Sequence, residues 1–216
     1  MFMIEQLDDY ILDHISPEPD HLKVLNRHVN TRLLYSRMCS GHLQGRLLKM
    51  LTAMINPRRV LELGTYAGYS ALCIAEGLRR PEARIDTIEV EDELEDFIRE
   101  HFSTTPLGQR IDLHIGDALG IIPRINRGDW DMVFIDANKR TYVDYIETLL
   151  PLLPVDAFIL ADNTLWDGKI IDTAVNHDAQ TLGIAAFNDL VARHPQLETV
   201  ILPLRDGLTL LRKTRL

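Results

Sequence analysis

Short apolar runs alternate with helical patterns along most of this chain, and no other feature constrains its fold as strongly. From Arg58 onward, each of five strand-like runs precedes a helix-like segment: VLEL and 70–79, IDTIEV and 92–102, IDLHIG and 118–126, MVFID and 141–150, FILAD and about 180–193. Apolar runs that alternate with helices are typical of βαβ units. The pattern therefore predicts an α/β fold, with a parallel sheet covered by helices on both faces.

The two ends of the chain depart from this alternation. Apolar residues repeat at helical spacing in three stretches before Pro57, which predicts an N-terminal helical segment over residues 1–56. Near the other end, TVILPL and LTLLRK flank Arg205-Asp206-Gly207, so we expect two strands joined by a tight DG turn and a last strand antiparallel to its neighbour. Because the chain shows no internal repeat and no shift in composition, one domain over residues 1–216 is expected.

Charge and composition narrow the class of ligand. The formal net charge of −9 and the pI near 5.3 argue against a nucleic-acid partner or an anionic membrane surface, because phosphate groups are bound by clustered Lys and Arg. The N-terminus, MFMIEQLDDYILDHI, has acidic residues where a signal peptide needs basic ones, which indicates a cytoplasmic protein. The two cysteines and eight histidines form no CxxC, HExxH or Cys/His cluster, so neither a disulfide framework nor a zinc site is expected. With these classes of partner disfavoured, we expect a small-molecule ligand.

The first strand-to-helix turn is the usual ligand cradle of such a sheet, and here it reads ELGTYAG, residues 62–68. A dinucleotide fingerprint would read GxGxxG, whereas Gly64 and Gly68 are separated by three residues. Glu62, two residues before the turn, would repel a bound phosphate. A ligand with an amino group, a sulfonium and a ribose but no phosphate tolerates that carboxylate, and S-adenosylmethionine (SAM) is such a molecule.

Acidic residues also end the second and third strands. Glu89 lies where a carboxylate can accept hydrogen bonds from ribose hydroxyls, and Asp117 with Ala118 offers an edge for an adenine. The alternative is that Glu62 and Glu89 are simply solvated acids at strand ends.

Oxygen-bearing side chains follow the fourth and fifth strands. Asp136 ends one, Asp162 and Asn163 end the other, and adjacent parallel strands would bring them together at one sheet edge. Such hard ligands suit Mg²⁺, or Mn²⁺ and Ca²⁺. Lys139 follows closely, and an ammonium beside a dication can lose its proton and act as a base. The alternatives are a capping role for Asp136, a turn role for the Asp-Asn pair and a surface position for Lys139.

These blocks together resemble the cation-dependent, SAM-dependent O-methyltransferases, the family of caffeoyl-CoA and catechol O-methyltransferases, especially its small bacterial members. The resemblance covers roughly residues 36–213 and rests on six blocks in family order: LELGTYAGYS, IEVEDE, GDAL, FIDANKRTYVDY, ADNTLW and PLRDGLTLLRK. It implies a Rossmann-like sheet of seven strands with the last one inserted antiparallel, a homodimer, and N-terminal helices that shape the acceptor pocket.

The resemblance also implies roles for individual residues. The methionine half of SAM would lie among Glu62, Gly64, Tyr66, Gly68 and Ser70, with Met38 over the reacting methyl. Glu89 would hold the ribose, with Asp117 and Ala118 near the adenine. The cation would be held by Asp136, Asp162 and Asn163, with Lys139 as base; Asp136 counts as a catalytic, cofactor-contacting and metal-binding residue.

The predicted function is methyl transfer from SAM to a hydroxyl of a small catechol-like or hydroxycinnamoyl-type aromatic that a divalent cation chelates. One alternative is an NAD-dependent oxidoreductase on a similar sheet, which the missing GxGxxG disfavours. The other is a non-catalytic SAM-binding module, which the complete set of Asp136, Lys139, Asp162 and Asn163 disfavours.

Overall fold

A single seven-stranded sheet forms the centre of the protein in the computed structural model, which describes residues 2–215. The strand order is β3-β2-β1-β4-β5-β7-β6; β1 to β5 are parallel, and β7 runs antiparallel between β5 and β6. This arrangement confirms the predicted sheet. The strands are β1 Arg59–Leu63, β2 Arg84–Glu89, β3 Ile111–Ile115, β4 Trp130–Ile135, β5 Phe158–Asp162, β6 Leu197–Leu202 and β7 Leu208–Lys213.

Helices cover both faces of the sheet, as predicted from the alternating pattern. Val60 and Phe134 point into a core shared with α2 to α5, whereas Leu61 and Val133 point into a second core shared with α6 to α8. Successive strand residues face opposite sides, so a central parallel strand that is buried on both faces must be apolar almost throughout. The helices are α1 Phe2–Asp13, α2 Asp20–Arg32, α3 Gly41–Ile55, α4 Tyr69–Gly77, α5 Glu95–Ser103, α6 Ala118–Ile125, α7 Tyr142–Leu149 and α8 Ala179–Arg193.

The C-terminal hairpin differs in detail from the prediction. The strand predicted as TVILPL begins earlier, at Leu197, and ends at Leu202, so the connection to β7 is five residues long, 203–207, instead of a tight two-residue turn. A hydrogen bond from Gly207 N to Leu204 O, 2.8 Å long, closes its last four residues. Arg205 and Gly207 both have positive φ, 50° and 88°, and they are separated by Asp206, unlike the two adjacent central residues of a type I′ turn.

Strand register brings the predicted site residues to one edge of the sheet. Leu63 pairs with Ile135, and Ile135 pairs with Ala161, so the residues that follow these positions lie side by side. The carboxyl ends of β1, β4 and β5 thus adjoin where a ligand of a doubly wound sheet binds. Within residues 2–215, no helix combines the length and apolar character that a membrane crossing requires.

Candidate active site

The glycine turn after β1 packs directly against the end of β4. Gly64 has φ +93°, and a Cβ on it would lie 2.1 Å from the carbonyl oxygen of Asp136. Gly68 has φ +82°, and a Cβ there would lie 2.4 Å from the ring of Phe102. Only glycine combines this backbone conformation with so close an approach. The spacing of the two glycines therefore follows from packing against β4 and α5.

A cleft opens between this turn and the segment that precedes α3. Five of the residues predicted to hold SAM line it: Met38, Gly64, Tyr66, Ser70 and Asp136. Met38 is more than half exposed, at the rim of the cleft. Five further residues line it and were given no role from the sequence: Cys39 and Ser40, which lie outside the quoted motifs, and Thr65, Ala67 and Tyr69, which lie within the glycine-turn block.

Glu62 is fully buried at the end of β1, so the alternative of a solvated acid is wrong. The Thr87 hydroxyl donates to Glu62 Oε2 at 2.5 Å, and Thr65 and Thr87 hydroxyls lie 2.6 Å apart. Among the described residues, Glu62 Oε1 has no hydrogen-bond partner. Burial raises the pKa of Glu62 to about 7, against the opposing effect of the Ser70 and Thr87 hydroxyls. A buried carboxylate oxygen is thus free for a donor from a ligand.

Glu89 is also buried, and its carboxylate is held from both sides. Oε2 accepts from Tyr66 N at 2.7 Å, and Oε1 accepts from Glu91 N at 2.9 Å. Each carboxylate oxygen can accept a second hydrogen bond. The alternative of a solvated acid is therefore wrong for Glu89 as well, and its orientation is set by the glycine turn.

Asp117 begins α6 as its N-cap, with Oδ2 accepting from Gly120 N at 3.0 Å. Ala118 is the first residue of that helix and is buried. The structure therefore gives Asp117 a capping function in which one carboxylate oxygen is engaged.

Lys139 lies inside the protein and contacts Asp136, so the alternative of a surface lysine is wrong. Its Nζ donates to Asp136 Oδ1 at 2.7 Å and to the Tyr142 hydroxyl at 3.0 Å. That hydroxyl lies 3.1 Å from both the Ile135 and Asp162 carbonyl oxygens, which ties together the ends of β4 and β5. Asn138, rather than Asp136, caps the following helical turn.

The sequence predicts Lys139 as a base, which requires a lowered pKa, whereas its surroundings in this structure raise the pKa. Burial by itself lowers the pKa of this amine, but Tyr142 and Asp136 together raise it above its ordinary value. In the arrangement described, Lys139 is therefore the cationic partner of Asp136 at neutral pH. Both partners are three residues from Lys139 in the sequence, but the sequence pattern alone could not show that Lys139 is buried against them.

Asp162 ends β5 and is almost completely buried. Asn163 N donates to its Oδ1 at 2.9 Å, and the Gln44 side chain donates to its Oδ2 at 2.7 Å. Burial, and then the charge of Asp136, raise the pKa of Asp162 to about 6. The two carboxylates are thus close enough to repel each other, as the predicted convergence requires.

The predicted metal site has few protein ligands. Within residues 2–215, no group of three or more His, Cys, Asp or Glu side chains could hold a metal ion. Asp136 and Asp162 supply two carboxylates, so a third protein ligand would have to be the amide of Asn163, which has φ +59° directly after β5.

A separate cavity of about 510 Å³ lies at the β3 edge and includes none of the predicted residues. Asp86 in its wall is buried and contacts Arg59, Trp130 Nε1 and His114 Nε2, the last two at 3.0 and 3.1 Å. These partners satisfy the Asp86 carboxylate, so Asp86 belongs to a structural ion-pair network in the cavity wall.

Known proteins resemble this chain in both sequence and fold. Residues 13–214 match the O-methyltransferase family. A caffeoyl-CoA O-methyltransferase of Eucalyptus globulus is 30% identical, covering 97% of this chain and 89% of its own, and a catechol O-methyltransferase of Niastella koreensis is 29% identical, covering 93% and 90%. The crystal structure of the O-methyltransferase TomG of Streptomyces achromogenes in complex with SAM superimposes with a TM-score of 0.89 at 28% identity, covering 97% of this chain and 96% of TomG. The chain therefore belongs to the O-methyltransferase family.

Proposed function

We propose that this protein transfers a methyl group from SAM to a hydroxyl of a small catechol-like or hydroxycinnamoyl-type aromatic, with a divalent cation holding the acceptor. One observation carries the proposal: a glycine turn with a buried, unpartnered Glu62 oxygen adjoins two carboxylates, Asp136 and Asp162, at the same sheet edge. Relatives named for caffeoyl-CoA and catechol, and a relative solved with SAM, support the same reading.

Glu62 would accept a hydrogen bond from the amino group of the methionine half of SAM. Its Oε1 is buried without a partner among the described residues, and an ammonium there would also stabilise the carboxylate form. Gly64 and Gly68 would let the turn pack closely against β4 and α5 beside the ligand, while Tyr66, Ser70 and Met38 would complete the walls around the sulfonium.

The other half of SAM would extend toward β2 and β3. Glu89 is held by two backbone N–H groups, so its remaining lone pairs would accept from the two ribose hydroxyls. The adenine would lie beside Asp117 and Ala118 at the start of α6.

A hard divalent cation fits the donor set at the ends of β4 and β5. The carboxylates of Asp136 and Asp162 repel each other. Among the described residues, Lys139 is the positive charge in contact with them, at Asp136. A bound cation would relieve the repulsion. Asp136, Asp162 and Asn163 would hold Mg²⁺ preferentially, with Mn²⁺ or Ca²⁺ as alternatives. When bound, the cation would hold two neighbouring hydroxyls and lower the pKa of one of them.

Lys139 would accept the proton of the acceptor hydroxyl at Nζ. A cation engaged with Asp136 would remove the counter-charge of this amine and lower its pKa, which reverses the situation of the cation-free site. The hydroxyl oxygen would attack the methyl carbon, the carbon–sulfur bond would break with its electron pair on sulfur, and S-adenosylhomocysteine would leave. Because the transfer needs no covalent enzyme intermediate, positioning supplies much of the acceleration.

The test is methylation of a panel of catechols, hydroxycinnamates and their thioesters, with and without a chelator. We expect Asp136→Ala or the chelator to abolish turnover while SAM affinity stays nearly unchanged. Retained turnover in chelator would remove the cation from the proposal. A thermal shift with SAM and none with NAD separates this function from the oxidoreductase alternative, and turnover itself excludes a non-catalytic binding module.

We also propose that residues 1–56 contribute to the acceptor pocket within one domain. The Tyr69 hydroxyl donates to Glu18 at 2.5 Å, and the His42 ring lies 2.8 Å from Ser16 O, so the α1–α2 connection packs beside the cleft. A homodimer and a cytoplasmic location remain predictions from the sequence; light scattering of the purified protein tests the first.

A further inference from the structure

The side-chain amide of Gln44 bridges Asp162 to a residue of the C-terminal hairpin. Gln44 lies in α3 and is 1% exposed. Its Nε2 donates to Asp162 Oδ2 at 2.7 Å, and its Oε1 accepts from Arg205 Nη1 at 2.6 Å. Both ends of the amide are therefore engaged, and the charged donor on one side determines which end faces the carboxylate.

Arg205 adopts a backbone conformation that favours glycine. Its φ is +50°, in the connection between β6 and β7, where a non-glycine residue is strained. The guanidinium contacts the carbonyl oxygens of Ser40 and Cys39 in addition to Gln44 Oε1. The Arg205 guanidinium donates to the segment beside the cleft, although its backbone is strained. This combination indicates a functional constraint rather than a requirement of the hairpin.

We infer that Arg205 and Gln44 are positioning residues that hold the Asp162 carboxylate in the orientation in which it binds a divalent cation. The inference rests on the proposed function, since it concerns a ligand of the proposed cation. Asn163 N holds Oδ1 from one side and Gln44 Nε2 holds Oδ2 from the other, so the carboxylate plane is fixed while each oxygen keeps a free lone pair.

The indirect arrangement explains why an amide stands between the two charges. Arg205 paired directly with Asp162 would neutralise the carboxylate and compete with a cation for its oxygens. A neutral amide orients the carboxylate without removing its charge, and the guanidinium in turn orients the amide. Hydrogen bonds to metal-binding carboxylates commonly change cation affinity by about 10- to 100-fold.

The experiment is a calorimetric Mn²⁺ titration of Arg205→Gly, Arg205→Lys and Gln44→Met, each beside the wild type. Arg205→Gly removes the guanidinium and relieves the positive φ, so we expect Mn²⁺ affinity to fall about tenfold, whereas the lost contacts and the relieved strain have opposite effects on the melting temperature. A merely structural role predicts a changed melting temperature with unchanged Mn²⁺ affinity. Arg205→Lys should retain part of the affinity, and Gln44→Met should lose as much as Arg205→Gly.

Asp156→Gly is the matched control, because Asp156 is exposed, has φ +68° and lies in the loop before β5, away from the cleft. It should leave Mn²⁺ affinity unchanged. Equal Mn²⁺ affinity in the wild type, Arg205→Gly and Gln44→Met would overturn the positioning roles and leave the proposed function standing. A wild-type protein that binds no Mn²⁺ would overturn the cation in the proposed function and this inference with it.

Discussion

Gly64 lies so close to the carbonyl of Asp136 that no other residue fits between the ends of β1 and β4: a Cβ would come within 2.1 Å of that oxygen. Asp136 N in turn donates to Leu63 O at 2.8 Å. The turn proposed to hold SAM and the strand end proposed to hold the cation are therefore in direct contact, so a displacement of one moves the other.

Gly64→Ala should damage both stability and SAM binding. Left-handed strain contributes about 1–2 kcal/mol and the backbone clash about 1–3 kcal/mol, so we expect a loss of about 2–5 kcal/mol in the free energy of unfolding. Denaturant unfolding and SAM titration measure the two effects. The control is Gly128→Ala, with φ +71° and no atom within 4 Å of the added Cβ, which should lose only about 1–2 kcal/mol and keep SAM affinity. Equal losses in both variants would show that the close approach is unimportant.

Glu62→Gln should become more stable relative to the wild type as the pH rises. The pKa of Glu62 is raised to about 7 in the folded protein, whereas an unfolded glutamate titrates near 4.5. The folded state therefore binds more protons between these values, so this group makes the protein less stable as the pH rises through that window, by up to about 3 kcal/mol. Urea unfolding of both proteins at pH 5 and pH 8 gives the difference, and an identical pH dependence would contradict the buried, unpaired carboxyl.

The same residue predicts how SAM binding depends on pH. An ammonium beside Glu62 favours its carboxylate form, so SAM affinity should rise as the pH increases toward about 7, with proton release on binding. Glu62→Gln should bind SAM about tenfold or more weakly, at a level that varies little over this range. Calorimetry in two buffers of different ionisation enthalpy measures the released protons. SAM affinity that is unaffected by Glu62→Gln would remove this residue from the cofactor site.

Lys139→Met should destabilise the cation-free protein and slow methyl transfer, most clearly at neutral pH. Removal of the ammonium leaves Asp136 partly buried beside Asp162 without its counter-charge, at an expected cost of about 2–4 kcal/mol. Mg²⁺ should raise the melting temperature of this variant more than that of the wild type, because it replaces the missing positive charge. Lys23→Met, at an exposed lysine of α2, serves as control. An equal effect of Mg²⁺ on all three proteins would contradict a shared site for Lys139 and the cation.

Cation affinity should decline as the pH falls below about 6. Asp162, whose pKa is raised to about 6 by burial and by Asp136, must be deprotonated to bind a cation. In the cation-free protein the same raised pKa reduces stability as the pH increases from about 4 to 6, and Mg²⁺ should offset that loss. Mg²⁺ titrations between pH 5 and 8 test this, and Asp162→Asn should abolish the pH dependence. A flat profile in the wild type would place the cation elsewhere.

Local pattern was sufficient to predict the architecture and the location of the candidate site. Strand and helix periods are properties of neighbouring residues, and a parallel sheet brings the carboxyl ends of its strands to one edge whatever the details of packing. For that reason Gly64, Asp136 and Asp162 could be assigned to one edge from their positions alone. Glu62 and Glu89 were assigned on the same grounds. The sequence pattern did not show whether they are buried, and their burial in the structure distinguishes them from solvated acids.

The sequence by itself determined the type and order of the elements and which side chains end the strands. Only the tertiary structure decided the environment of Lys139: Asp136 and Tyr142 are each three residues away along the chain, but whether Lys139 is buried against them or exposed to solvent depends on how this segment packs. Tertiary structure alone also gave Asp162 its donor, since Gln44 is 118 residues away along the chain. Hydrogen-bond partners and pKa values depend on distances that long-range packing sets, and no periodicity of neighbouring residues encodes those distances.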